Sequence, residues 1–174
     1  AYLAHLADCF NVSYGAGTVE LTMPDVYYNM RDKIMPAHEQ VVALAARAMR
    51  EAGVEPAVIA KYNVVSAPVA AQMALGAAEA AGADIAVSVT GLAGPNGGDA
   101  VRPVGTVYLG AACGETVYVK KLFGSRPDRA LVRARAAQAA LELALRLAQG
   151  KVPADTQALA KSARHDAAAL TALD

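Results

Sequence analysis

Apolar and polar positions change rhythm several times along the chain, and each change predicts an element. Val19, Leu21 and Met23 alternate with Glu20 and Thr22 ahead of a Pro24-Asp25 turn, a period of two that predicts a strand. From Pro36 onward Val41, Val42, Leu44, Ala45, Ala48 and Met49 recur at helical spacing until Gly53, which predicts an amphipathic helix. Val58, Ile59, Val64 and Val65 follow Pro56 without a clear period and read as an irregular stretch. Ser66 then precedes Pro68 and an alanine-rich run to Ala81; a hydroxyl N-cap with proline in the first turn opens a long helix there. Ile85-Ala86-Val87-Ser88-Val89 is too short and apolar for a surface helix and is bounded by turn residues, so it predicts a buried strand. Residues 104–112 and 116–123 form two further strands around Cys113-Gly114-Glu115, a hairpin. Pro127-Asp128 opens a helix to about Gln149, with Leu131, Leu141, Leu145 and alanines along one side, suited to a core face or to a subunit interface.

Beyond Lys151 the pattern weakens. Leu159, Leu170 and Leu173 are compatible with one more helix after Pro153 or with a solvated tail. Strands and helices alternating in 174 residues predict an α/β fold in a single domain, residues 1–150, followed by a tail at 151–174. A chain of this size buries roughly two thirds of its unfolded surface. The first 35 residues stand apart, because they hold four of the seven tyrosines as well as Cys9 and Phe10 while the remainder is rich in alanine.

Charge and composition narrow the function. Sixteen basic residues balance sixteen acidic ones, with no basic block, so the footprint needed to hold a phosphate backbone is missing and nucleic acid is not an expected partner. No run reaches the roughly 18 apolar residues of a membrane span, and the opening residues lack the basic region and long apolar core of a signal peptide, so a cytoplasmic protein without a membrane partner is expected. Cys9 and Cys113 have no paired spacing, and His5, His38 and His165 are dispersed, so neither a metal site nor a cofactor is expected.

The chemistry concentrates in residues 90–98, Thr-Gly-Leu-Ala-Gly-Pro-Asn-Gly-Gly, followed by Arg102-Pro103-Val104-Gly105-Thr106-Val107. Gly91, Gly94, Gly97 and Gly98 follow a predicted buried strand. Without Cβ atoms, such a segment lets successive N–H groups converge on an anion or oxyanion, or it builds an elaborate turn. Neither the dinucleotide fingerprint nor the P-loop spacing fits it.

These residues resemble the signature of the CinA C-terminal domain family: Ser/Thr-Gly-Ile/Leu-Ala-Gly-Pro-x-Gly-Gly, a short insert, then Lys/Arg-Pro-Val-Gly-Thr-Val. Tyr62-Asn63-Val64-Val65-Ser66 is similar to that family's Tyr/His-Gly-Ala-Val-Ser, and Met73-Ala74-Leu75-Gly76-Ala77 to its Met-Ala-x-Gly-Ala. Phe123 with Asp128, Arg129, Val132 and Arg133 resembles a Phe followed by Gly-Asp-Arg-x-x-Val-Arg. The resemblance covers about residues 54–150. It implies a three-layer α/β/α domain with a mixed sheet, no metal, and hydrolysis of the carboxamide of nicotinamide mononucleotide to the carboxylate with release of ammonia. A homo-oligomer is expected.

Two family motifs diverge. The nucleophilic serine of Glu-Ser-Cys-Thr-Gly-Gly has no counterpart; the nearest segment, residues 7–17, offers Ser13 and Cys9 at other spacings, so residues 1–35 are a divergent segment. Tyr-Ser-Asn-Glu-Ala-Lys is echoed by Tyr27, Tyr28, Asn29 and, one residue late, Lys33. By the resemblance the catalytic candidates are Thr90, Lys33, Tyr28 and Ser13. Gly91, Gly94, Gly97, Gly98, Arg129 and Arg133 are the substrate-binding candidates, the two arginines four apart on one helical face and suited to a phosphate. Ser66 is expected to cap its helix. The alternative is a non-catalytic pyridine-nucleotide-binding or assembly module that keeps the loop without the nucleophile.

Overall fold

A computed structural model describes residues 11–15, 18–22, 53–95, 97–124 and 128–173. The helix expected from Pro36, together with Cys9, Tyr28 and Lys33, lies outside the described residues. Near the start of the chain β1 (Asn11–Gly15) and β2 (Thr18–Thr22) pair antiparallel, with Val12 opposite Leu21 and Tyr14 opposite Val19. The second strand coincides with the alternation at Val19 and Leu21.

The remainder builds three layers. Its elements are α1 (Pro56–Tyr62), α2 (Ala67–Ala81), β3 (Ile85–Gly91), β4 (Thr106–Cys113), β5 (Thr116–Phe123), α3 (Arg129–Ala148), β6 (Gln157–Ala160), a 3₁₀ turn (Lys161–Ala163) and α4 (Ala167–Leu173). The sheet runs β3-β4-β5-β6. Its central strand alternates: Tyr108 and Ala112 pack with α1, α2 and α4, whereas Val107, Leu109 and Ala111 pack with α3. Helices therefore cover both faces, as expected. The sheet is not mixed among the described residues, since all three pairings are antiparallel. Long loops or two-residue turns, which reverse direction, join β3 to β4 and β4 to β5 in place of a crossover helix.

The cap expected at Ser66 holds. Ser66 Oγ accepts from the Val69 N–H at 3.4 Å and Pro68 sits in the first turn of α2, which Gly82 ends in a left-handed conformation at φ 59°. Asp128 caps α3 by accepting from the Leu131 N–H at 2.8 Å. Helix α2 lies close on the sheet because β4 carries Gly110 beneath it: a Cβ there would collide with the Ala70 carbonyl oxygen. The same carbonyl accepts from Ser88 Oγ on β3 at 2.6 Å.

Four further expectations change. Residues 56–62 are helical, not irregular; seven residues are too few to show a period, and α1 is held by burial of Val58 and Tyr62 and by Pro56 at its start. β3 is only half-buried, with Val89 42% exposed, and its buried positions are the hydroxyl residues Ser88 and Thr90 on the α2 side. On α3 the core face is Val132, Ala136, Ala140, Leu143 and Leu147, while Leu141 and Leu145 point outward at 70% and 59% exposure. A stripe of alanines lets α3 approach the sheet closely, so its larger leucines are not needed there.

The fourth change is at the carboxyl end. Residues expected as a tail add β6 to the sheet, Val117 opposite Leu159, and bury Leu159, Leu170 and Leu173 against α1 and α2. Each such side chain contributes about 1.5–3 kcal/mol by leaving water. The side chain of Gln72 ties the segment down, accepting from the Glu55 N–H at 2.9 Å and donating to the Arg164 carbonyl at 2.8 Å. Glu79 pairs with Arg164 and Lys161, and Tyr62 Oη shares a hydrogen bond of 2.7 Å with Thr171 Oγ1.

Candidate functional site at the glycine-rich loop

The loop leaves β3 at Gly91 and re-enters the sheet at Thr106, at the edge where α2 and α3 both begin. Its base is a narrow ladder, the Leu92 N–H donating to the Thr106 carbonyl at 2.8 Å and the Gly105 N–H to the Leu92 carbonyl at 2.7 Å. A Cβ on Gly91 would fall 2.8 Å from the Thr106 carbonyl oxygen, and one on Gly98 would fall 2.6 Å from the Val104 nitrogen. Those two glycines let the limbs of the loop pass each other. Gly94 and Gly97 adopt φ 86° and 99°, values that side chains disfavour. The glycine content thus has a structural role as well as leaving exposed backbone at Gly97 and Gly98.

Two long-range bonds anchor the loop to the link between α1 and α2. Thr90, buried at 6% exposure, donates its hydroxyl to the Val64 carbonyl at 2.7 Å. Arg102 Nη1 donates to the Tyr62 carbonyl at 2.9 Å. The far limb is stiffened by Asp99, whose Oδ1 accepts from the N–H groups of Arg102 at 2.6 Å and Val101 at 2.8 Å. The Arg102 N–H above all, then that of Val101 and the Arg102 charge, hold the Asp99 carboxyl below its ordinary range. On the opposite side Arg129, half-buried in the first turn of α3, donates from Nη1 to the Gly94 carbonyl at 3.2 Å.

Of the residues singled out from sequence, the fold brings Thr90, Gly91, Gly94, Gly97, Gly98 and Arg129 into this one loop cluster. Arg133 lies one turn further along α3 and is exposed. Thr90 commits its hydroxyl proton to Val64, which leaves its oxygen able only to accept. Ser13 is on β1, where backbone pairing alone is described, and Tyr28 and Lys33 are outside the described residues. Sequence reasoning missed Asp99 and gave Arg102 and Asn63 no role beyond their places in the motifs. The first two are visible afterwards as an Asx turn, in which Asp bonds the backbone two and three residues on. Asn63 replaces the glycine of the motif it resembles and adopts φ 71°, ψ 160°. Among the described residues no group of three or more His, Cys, Asp and Glu side chains is placed to hold a metal ion, and no helix is long and apolar enough to cross a membrane.

Fold and loop together define a three-layer α/β domain whose glycine-rich strand-to-strand loop is braced from both helical layers. The chain belongs to the CinA family, matching the CinA C-terminal domain over residues 38–148. The nicotinamide-nucleotide amidohydrolase PncC of Enterobacter agglomerans is 48% identical over 96 residues, 54% of this chain and 57% of that protein. A CinA-like protein of Kosmotoga olearia is 42% identical over 110 residues, 62% of this chain and 26% of that protein. The chain thus spans little more than half of the first relative and about a quarter of the second. Among solved structures, the competence/damage inducible protein CihA from Agrobacterium tumefaciens superposes with a TM-score of 0.54 at 35% identity, covering 57% of this chain and 61% of that one. A CinA superfamily protein from Escherichia coli gives 0.53 at 35% identity, covering 57% of each chain. The family match begins at His38 and so leaves Ser13, Tyr28 and Lys33 outside it.

Proposed function

We propose that this protein is an amidohydrolase that converts the carboxamide of nicotinamide mononucleotide to the carboxylate and releases ammonia. The observation that carries the reading is the convergence of Arg129 on the glycine-rich loop at Gly94, in a chain 48% identical over 96 residues to a protein named for that reaction. Amide hydrolysis requires donors for the tetrahedral oxyanion, and a nucleotide requires a cation for its phosphate. Backbone N–H groups of residues 97 and 98 take the first role and Arg129, with Arg133 one turn on, the second. A hydroxyl from the amino-terminal segment, Ser13, attacks the carboxamide carbon, with Tyr28 or Lys33 accepting its proton. That proton passes to the departing nitrogen as ammonia leaves, and water then releases the acid from the acyl-enzyme. The reaction runs in the cytoplasm, and the outward Leu141 and Leu145 support a homo-oligomer through α3.

Ammonia release from nicotinamide mononucleotide by the purified protein, followed by a coupled assay, tests the reading. Turnover that is lost in Ser13→Ala and has its KM raised in Arg129→Ala is expected. No release at high enzyme concentration would sink it. A non-catalytic binding module was the alternative; it draws no support from a relative named for catalysis, and nucleotide binding without any turnover is the result that would favour it.

A further inference from the structure

We propose that Arg102 is a positioning residue: it sets the outer limb of the glycine-rich loop against the end of α1 and so holds the loop's backbone donors where the reaction needs them. This inference rests on the amidohydrolase reading for its kinetic consequence but not for its structural one.

The outer limb, residues 97–104, is fixed at its β4 end, where the Pro103 carbonyl accepts from the Thr106 N–H at 3.1 Å and from Thr106 Oγ1 at 2.7 Å, but residues 97–101 have little to hold them in place. Gly97, Gly98, Asp99, Ala100 and Val101 are all exposed, and Val101, at 75%, buries almost nothing. What orders them is polar. Asp99 closes a turn on the N–H groups of Val101 and Arg102, and the Asp99 N–H donates back to the Arg102 carbonyl at 3.0 Å. That turn is rigid internally yet fixes nothing relative to the rest of the domain. The link to the helical layer is the guanidinium of Arg102, whose side chain is only 21% exposed and which reaches the Tyr62 carbonyl at 2.9 Å.

The acceptor explains why a cation suits the position. Tyr62 is the last residue of α1, and its carbonyl is one of the terminal groups that a helix leaves without an intrahelical donor. A guanidinium there makes a charge-assisted bond, roughly twice as strong as a neutral one. The acceptor is itself well anchored: the Tyr62 side chain is buried at 7% exposure and bonded to Thr171 on α4. Arg102 thus connects a turn that lies next to Gly97 and Gly98 to the packed helical layer. The ion pair with Asp99, 3.8 Å apart with Asp99 more than half exposed, adds orientation and little energy.

Displacing catalytic donors by about 1 Å is worth on the order of a hundredfold in rate, so the role is measurable. Arg102→Ala, Arg102→Lys and the unaltered protein are compared by circular dichroism, by initial rates with nicotinamide mononucleotide normalised to folded protein, and by amide hydrogen exchange over residues 97–101. Expected for Arg102→Ala is a native spectrum, a kcat per folded molecule at least tenfold lower, and faster exchange confined to 97–101. Arg102→Lys restores part of both, as does millimolar guanidinium ion added to Arg102→Ala. A kcat within twofold of normal overturns the proposal, as does a loss that tracks only the folded fraction with exchange over 97–101 unchanged. If the unaltered protein releases no ammonia, the functional reading fails while the exchange arm still decides this one: faster exchange at 97–101 supports the positioning role, and unchanged exchange overturns it.

Discussion

Asn63→Gly is expected to make the protein more stable, against the usual direction for a new glycine. At φ 71°, ψ 160° the asparagine occupies a region that is essentially glycine's own, and holding a side-chain-bearing residue there costs about 1–3 kcal/mol. Two losses offset the relief. Glycine gains extra freedom in the unfolded chain, about 0.5–1 kcal/mol, and the substitution deletes the bond from the Val65 N–H to Asn63 Oδ1, which at 3.3 Å is worth at most about 0.5 kcal/mol. The balance is a gain of about 1 kcal/mol. For a domain of this length that raises Tm by about 2–4 °C and the urea midpoint by about 0.5 M. Urea and thermal unfolding followed by circular dichroism read it directly, with Asn63→Ala as the control that keeps a Cβ but loses the amide. A glycine variant less stable than the parent would refute the reasoning, as would an alanine variant equal to it. The position matters for the site as well, because the carbonyls on either side of Asn63 are the acceptors for Arg102 and Thr90.

Three further outcomes follow from the packing around the loop. Thr90→Val removes the donor to the Val64 carbonyl in a buried setting and should cost about 1–3 kcal/mol in urea unfolding; Thr90→Ser should recover most of it, and a valine variant of unchanged stability would contradict the assignment. Gly110→Ala drives a Cβ into the Ala70 carbonyl and should destabilise by about 2–3 kcal/mol or abolish soluble expression; normal unfolding would show that α2 sits further from the sheet. The Asp99 turn has a defined acid sensitivity, since the folded pKa lies below the ordinary value of 3.8. Its contribution is therefore fully present above the unfolded value and is lost only as pH falls through the lower, folded one. The amide chemical shifts of Val101 and Arg102 should titrate with a midpoint below 3.8, and a midpoint at or above it would contradict the bonding.

Much of this was legible in the residues because it depends on neighbours in the chain. Ser66 with Pro68, and Asp128 ahead of Arg129, announce the starts of α2 and α3 through hydrogen bonds that close within three residues. Val19 and Leu21 announce β2 by alternation alone. The loop at residues 90–98 stands out by composition, and with its flanking motifs it was enough to point to the family that the match over residues 38–148 bears out.

What the chain could not announce is whatever depends on partners distant in sequence. Leu141 and Leu145 look like a core face, yet the closer approach permitted by Ala136 and Ala140 turns them outward. Leu159, Leu170 and Leu173 look like a weakly patterned tail until the sheet edge and α1 exist to receive them. The site divides the same way. Its glycines and Arg129 could be named from local sequence, but the bonds that shape it join Thr90 to Val64 and Arg102 to Tyr62, 26 and 40 residues apart. A carbonyl has no sequence signature, since every residue carries one; only the folded backbone selects which carbonyl a threonine or an arginine will find.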